Sequence, residues 1–175
     1  MSLSVELRVC SASESPLARS VRWFTSTRLG ARSLSGTLPY LDRWMLRISG
    51  GRTTVSNVLG GVPTLFLTTT GARSGQPRTA QLIAVPAGAD FAVIGSNFGR
   101  AAQPGWVANL AADPRATASC RGRSVPVVAR ELTGAEADQV WAAGRRLHRG
   151  FATYPAMATA RTIRVFLLES ASTSG

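Results

Sequence analysis

The apolar positions of this chain fall into short runs separated by turn residues, with a few stripes at helical spacing around them. Leu65-Phe66-Leu67-Thr68-Thr69-Thr70 is an apolar, threonine-rich run, the composition of a largely buried β-strand. Gly71 and Gly75 bracket a loop, and Pro77 closes it before a second strand from Thr79 to Val85. Pro86 to Asp90 reads as a turn and Phe91 to Gly95 as the returning strand, which predicts a hairpin between the last two. Ser96-Asn97-Phe98-Gly99-Arg100 breaks the pattern. Pro104-Gly105-Trp106 starts a short helix carrying Val107 and Leu110, which Asp113-Pro114 stops. Ala116–Cys120 and Ser124–Arg130 predict another hairpin around Arg121-Gly122, with Pro126 placing the second strand at an edge or bulge. Thr133 and Glu136 have the spacing of a capping box, and Ala137, Val140, Trp141, Gly144 and Leu147 form the inward stripe of the helix it opens. Ile163 to Glu169 is a last strand. About six strands joined by short turns, with helices outside, predict an α+β, mainly β domain. A small closed or split β-barrel with flanking helices suits it better than an alternating βαβ fold.

The N-terminal third reads differently. Residues 1–36 are serine-rich and carry five arginines against two acids, a basic arm that is either loosely ordered or suited to an anionic membrane surface. Leu41, Trp44, Met45 and Ile48 then form one apolar stripe, started at Thr37-Leu38-Pro39 and ended by Gly50-Gly51. Residues 52–61 connect it to the first strand. The expected organisation is an arm over 1–36, one split-barrel domain over 37–170 and a tail over 171–175.

Charge narrows the partners. All 20 basic residues are arginine, against 9 acidic ones, and the net charge of +11 attracts anions in general. The arginines are scattered, with no dense run and no zinc or RNA-binding signature, so nucleic acid is not an expected partner. Cys10 and Cys120 stand in unlike contexts, and a single histidine, His148, excludes a histidine-based metal cluster. No metal site is expected. No apolar run reaches membrane-spanning length and no signal-peptide core is present, which points to the cytoplasm, with the basic arm leaving contact at the inner membrane face open.

The loop after Thr70 carries the most specific chemistry. A glycine-bracketed turn is expected to leave backbone N–H groups free; Arg73 and Arg78 add two permanent cations, and Ser74 and Thr79 add hydroxyls. That combination suits a phosphate or carboxylate, although the same residues also make an ordinary solvated turn. Absence of lysine excludes a P-loop, and no G-x-G-x-x-G opens a helix. Lysine-free composition also excludes Schiff-base chemistry, and one histidine leaves little room for a nucleophilic triad. An enzyme of this composition relies on a bound cofactor for its chemistry.

Leu67 to Thr79, then Ser96-Asn97-Phe98-Gly99, Pro104 to Leu110 and Asp113-Pro114 together resemble the deazaflavin-dependent nitroreductase family, from about Pro39 to Glu169. The resemblance implies a split β-barrel of the flavin-reductase or FMN-binding type and use of coenzyme F420, a deazaflavin with a phosphate and an oligoglutamate tail. It also implies coenzyme contacts by Ala72, Arg73, Ser74, Arg78, Thr79, Ala80 and Gln81, by Ile94, Gly95, Ser96 and Asn97, and by Gly105, Trp106, Val107, Ala108 and Asn109. Arg73 and Asn97 stand where family members often carry lysine, and Ile163-Arg164-Val165 replaces the more usual Ile-Pro-Val. Tyr154 is the candidate residue to polarise or protonate an acceptor, since a phenol stays protonated at neutral pH. The implied activity is hydride transfer from reduced F420 to a flat electrophilic acceptor: a quinone, enone or nitroaromatic. A non-catalytic deazaflavin-binding or storage protein and an FMN-binding split-barrel protein are the alternatives.

Overall fold

A computed structural model of the chain describes Leu7 and residues 62–120 and 122–171. Apart from Leu7, which is fully buried in the core, the basic arm over 1–36, the apolar stripe from Leu41 to Ile48 and the connector over 52–61 therefore lie outside the described residues.

Seven strands form one antiparallel sheet: β1 (Thr64–Thr70), β2 (Pro77–Ile83), β3 (Val85–Ala87), β4 (Asp90–Ile94), β5 (Arg115–Cys120), β6 (Arg123–Leu132) and β7 (Val165–Ser170). A 3₁₀ turn spans Asn97–Gly99, and three helices follow: α1 (Gly105–Ala112), α2 (Gly134–Leu147) and α3 (Gly150–Met157). The sheet order is β2-β1-β5-β6-β7-β4-β3. The two edge strands, β2 and β3, are separated in sequence by Ala84 alone, whose N–H donates to the Pro63 carbonyl at 2.9 Å. One residue spans only a few ångströms, so the opposite edges of the sheet must meet there. The sheet is curled into a split barrel, as expected from the turn-rich pattern.

This curl corrects one expected pairing. Thr79–Val85 is not a single strand paired with Phe91–Gly95. Its first part pairs with β1, Leu82 opposite Leu65, and only Val85–Ala87 pairs with Asp90–Ala92. The break at Ala84 hands the chain from one sheet edge to the other, and an apolar run cannot show such a handover because Leu82-Ile83 before it and Val85 after it are equally apolar. The sheet accordingly has one strand more than the sequence pattern suggested.

Alternation places Leu65 and Leu67 of β1, Ala118 and Cys120 of β5, Val125, Val127 and Ala129 of β6, and Phe166 and Leu168 of β7 inside the barrel. Helix α1 plugs it with Trp106, Val107 and Leu110. A second cluster joins Ala92, Ile94 and Val165 to Val140 of α2 and to Phe151 and Tyr154 of α3. Strand β4 thus has apolar partners on both faces, which is why its sequence is a continuous apolar run and not an alternation.

Two further local expectations are corrected. Pro126 is not on an edge strand: β6 lies between β5 and β7, and proline is accommodated because β7 pairing ends at Val127. Thr133 caps α2 without any side-chain hydrogen bond. Glu136 turns instead to Arg130, which donates to both its oxygens at 2.9 and 3.1 Å. A bidentate guanidinium pair outcompetes the reach back to a single backbone N–H. Among the described residues, no helix is long and apolar enough to cross a membrane.

Candidate functional site

Two turns at the barrel rim carry most of the expected ligand contacts, and α1 braces both. The first is Gly71–Gln76, between β1 and β2. Contrary to the sequence expectation, its backbone donors are mostly engaged. Gly71 N–H donates to Gln76 O, Ser74 and Gly75 N–H to Gly71 O, and Gln76 N–H to Ser74 Oγ. Ala72 N–H donates to Asn109 Oδ1 at 3.0 Å. Four of the six N–H groups are satisfied within the turn because glycine at 75 takes the left-handed conformation, with φ of 66°. The turn is therefore a rigid mount for side chains, not a cradle of free N–H groups.

Asn109, buried in α1, anchors that mount. Its Nδ2 donates to Thr69 Oγ1 at 2.9 Å, and Thr69 Oγ1 donates to the Arg78 carbonyl at 3.3 Å. One amide thus ties Ala72, Thr69 and Arg78 together, with its orientation fixed by the network. Both ends of its side-chain amide are engaged within the protein. Thr69 was not singled out in the sequence; its inward position in an alternating strand was the available signal.

The side chains the turn presents are exposed. Arg73 and Arg78 have no ion-pair or hydrogen-bond partner for their guanidinium groups among the described residues. Three other arginines are paired internally, Arg115 on Asp113, Arg130 on Glu136 and Arg164 on Glu131, while the exposed Arg100, Arg123, Arg146 and Arg149 form no ion pair among the described residues. Those bonds hold the Asp113, Glu131 and Glu136 carboxyls below the usual carboxylate range. On β2, Arg78 and Ala80 lie opposite inward Thr69 and Leu67, whereas Thr79 and Gln81 lie opposite outward Thr68 and Phe66. Thr79 Oγ1 is 2.8 Å from Thr68 Oγ1. The four β2 side chains expected to meet one ligand are therefore split between two faces. A groove of about 400 Å³ runs along the outer side of the turn, past Thr70, Gly75, Pro77 and Thr117.

The second turn is Ser96–Arg100. Ile94, Gly95 and Ser96 are buried, Asn97 is half-buried and Phe98 is 63% exposed. Asn97 and Phe98 both have positive φ, 47° and 55°. Asparagine tolerates this region; for phenylalanine it costs roughly 1–2 kcal/mol. A Cβ on Gly95 would lie 2.9 Å from Val107 Cγ2, so the turn approaches α1 more closely than any other residue permits. Asn97 Nδ2 donates to Ala102 O at 2.8 Å. In α1 itself Trp106 and Val107 are core residues, Trp106 edge-on to Phe166, while Gly105 and Ala108 face outward.

Tyr154 lies against this second turn, its ring edge-on to Phe98 at 6.3 Å between centroids. It is 8% exposed, and its Oη is 3.1 Å from His148 Nε2. Any side chain on Gly150 would collide with both atoms. Burial pushes the phenol up to about 12 and the imidazole below its ordinary value, so both are neutral near pH 7. In the tautomer with hydrogen on Nε2, His148 donates to Tyr154 and leaves the phenolic hydrogen available to another acceptor.

The arrangement combines fixed cations at one turn with an apolar, strained surface at the other, and comparison with known proteins gives that combination a setting. Residues 38–170 match the model of the family described as F420H(2)-dependent quinone reductase. The chain belongs to this family. It is 42% identical over 55 residues to F420H(2)-dependent quinone reductases of two Mycobacterium tuberculosis strains, H37Rv and CDC 1551. The aligned stretch is 31% of this chain and spans 37% of the length of those curated relatives. A solved F420-H2 dependent reductase (FDR-A) is similar at 32% identity and a TM-score of 0.56, over 61% of this chain and 94% of that one. A second structure, titled a domain-swapped dimer, is similar at 28% identity and a TM-score of 0.57, over 75% and 98%.

Proposed function

We propose that this chain is an oxidoreductase that transfers hydride from reduced coenzyme F420 to a quinone. The carrying observation is the pair Arg73 and Arg78: two exposed guanidinium groups without a partner among the described residues, the first on the turn braced by Asn109 and the second at the start of β2. A phosphate with an acidic tail fits that donor set, since guanidinium binds such oxygens in bidentate fashion and the rigid mount limits the ordering cost. When bound, the reduced deazaflavin supplies the hydride.

The chain's own residues orient and shield. Arg73 and Arg78, with Ser74, hold the anionic end. The Ile94–Asn97 and Gly105–Asn109 segments form the wall beyond it, their buried side chains excluding water and their backbone fixing the approach. Tyr154, protonated and supported by His148, donates a hydrogen bond to the oxygen on which negative charge grows. Phe98 offers the acceptor ring an apolar edge. The basic arm over 1–36 brings the chain to an anionic membrane surface, where lipid-soluble quinones reside.

One observation favours a binding or storage protein instead: the Tyr154 hydroxyl is buried and already bonded to His148. Anaerobic mixing of reduced F420, a soluble quinone and the protein separates the two. Catalysed coenzyme oxidation that depends on quinone supports the reductase; tight binding without turnover supports the carrier.

A further inference from the structure

Arg161 belongs to no segment assigned so far to ligand contact, yet its guanidinium makes four hydrogen bonds. It projects from the connection between α3 and β7. Nη1 donates to Gly95 O and to Gln103 Oε1, both at 2.9 Å, Nη2 donates to Ser96 O at 2.7 Å, and Nε donates to Arg100 O at 3.1 Å. Three of the four acceptors are backbone carbonyls, and they lie at the entrance and the exit of the Ser96–Arg100 turn. A planar fork can hold all of them at once, which a compact ammonium cannot. Between the clamped ends sit Asn97 and Phe98 in left-handed backbone, a conformation that persists only where the surroundings over-determine it.

The geometry points to Arg161 as a positioning residue. By holding the Gly95, Ser96 and Arg100 carbonyls on its own side of the turn, it fixes the coenzyme-facing wall and the placement of Phe98. It touches neither coenzyme nor acceptor. Its positive charge, set behind the peptide groups of that wall, also favours negative charge arriving in front of them. The inference rests on the proposed function for its ligand, but not for the clamp itself.

The test uses the full-length protein with Arg161→Ala and Arg161→Lys, the lysine variant carrying the decision if the alanine variant fails to fold. Hydrogen exchange should rise across residues 95–103 in both, with β1 and β5 unchanged. F420 affinity and quinone turnover per folded molecule should fall about ten-fold to a hundred-fold, the scale of a misplaced reacting geometry. Lysine, though it keeps the charge, should not restore them, and added guanidinium should partly rescue the alanine variant. Unchanged exchange over 95–103 would overturn the clamp. Raised exchange with wild-type affinity and turnover would overturn its role toward the ligand. Failure of the wild-type protein to bind F420 at all counts against the functional reading, and the exchange measurement still decides the clamp.

Discussion

The β1–β2 turn and the start of β2 present two guanidinium groups without a partner among the described residues, whereas the turn after β4 presents an exposed phenyl ring. Both are held by a polar side chain arriving from a distant element: Asn109 of α1 for the first, Arg161 of the α3–β7 connection for the second. The first turn needs little force, because glycine supplies its one left-handed residue and its N–H groups close on themselves. The second carries a left-handed phenylalanine and needs four bonds to one guanidinium. Strain is thus absent where charge is presented and present where a flat apolar surface is presented. A coenzyme with an anionic tail and a planar ring system has use for both ends.

If the labour divides in this way, substitutions at the two turns should separate coenzyme binding from acceptor turnover. The largest effect is expected from Arg78→Ala. It should weaken F420 binding by about 1.5–3 kcal/mol, the range for a hydrogen bond to a charged group, with the melting temperature and the quinone KM unchanged. A titration that finds wild-type affinity with a lowered melting temperature makes Arg78 structural.

Tyr154→Phe should act on the other side. Quinone turnover is expected to fall about ten-fold to a hundred-fold while F420 affinity holds. Wild-type turnover would leave Tyr154 as packing among Phe98, Phe151 and His148. Next comes Asn109→Ala, which removes two hydrogen bonds and should cost about 2 kcal/mol of stability. The urea midpoint should drop at constant slope, and F420 affinity should drop with it as the mount loosens. An unshifted midpoint would mean the turn holds its shape without α1.

Phe98→Gly is the sharpest small effect because its two consequences have opposite signs. Relief of the left-handed backbone should stabilise the protein by up to about 1 kcal/mol after the entropy of glycine is set against it. Quinone KM should nevertheless rise. A destabilised variant with unchanged KM would assign Phe98 to packing alone.

The smallest effect is in pH. Burial depresses the His148 imidazole below its ordinary value of 6.5, so the unfolded chain binds the extra proton first as pH falls. Its contribution to stability is present above 6.5 and lost below it. Tyr154 is raised from 10.0 to about 12, so its contribution is present below 10 and lost as pH rises toward 12. Melting temperature should be flat between these limits, and His148→Gln should remove the acid-side decline specifically.

The legible part of this molecule was what side-chain period and turn chemistry encode. The β1 strand, the α1 and α2 helices, the β5–β6 hairpin and the inward stripe of α2 all follow from apolar spacing and from Gly and Pro placement. The barrel's closure at Ala84 was not legible, since an apolar run looks the same whether or not the strand changes sheet edge. Nor were the clamps. Asn109 and Arg161 act over separations of 37 to 66 residues, and nothing local marks these bonds. The same gap explains why free N–H groups were expected at Gly71–Gln76: a glycine-bracketed loop does not reveal that Asn109 and the turn itself consume them.

The claim that the Arg73–Arg78 turn is a mount for an acidic deazaflavin is tested most directly by titrating the protein with F420 and with riboflavin phosphate under the same conditions. Micromolar or tighter binding of F420, weakened by added salt, is expected, with much weaker binding of riboflavin phosphate. Preference for riboflavin phosphate would contradict it and place the chain among FMN-binding split-barrel proteins instead.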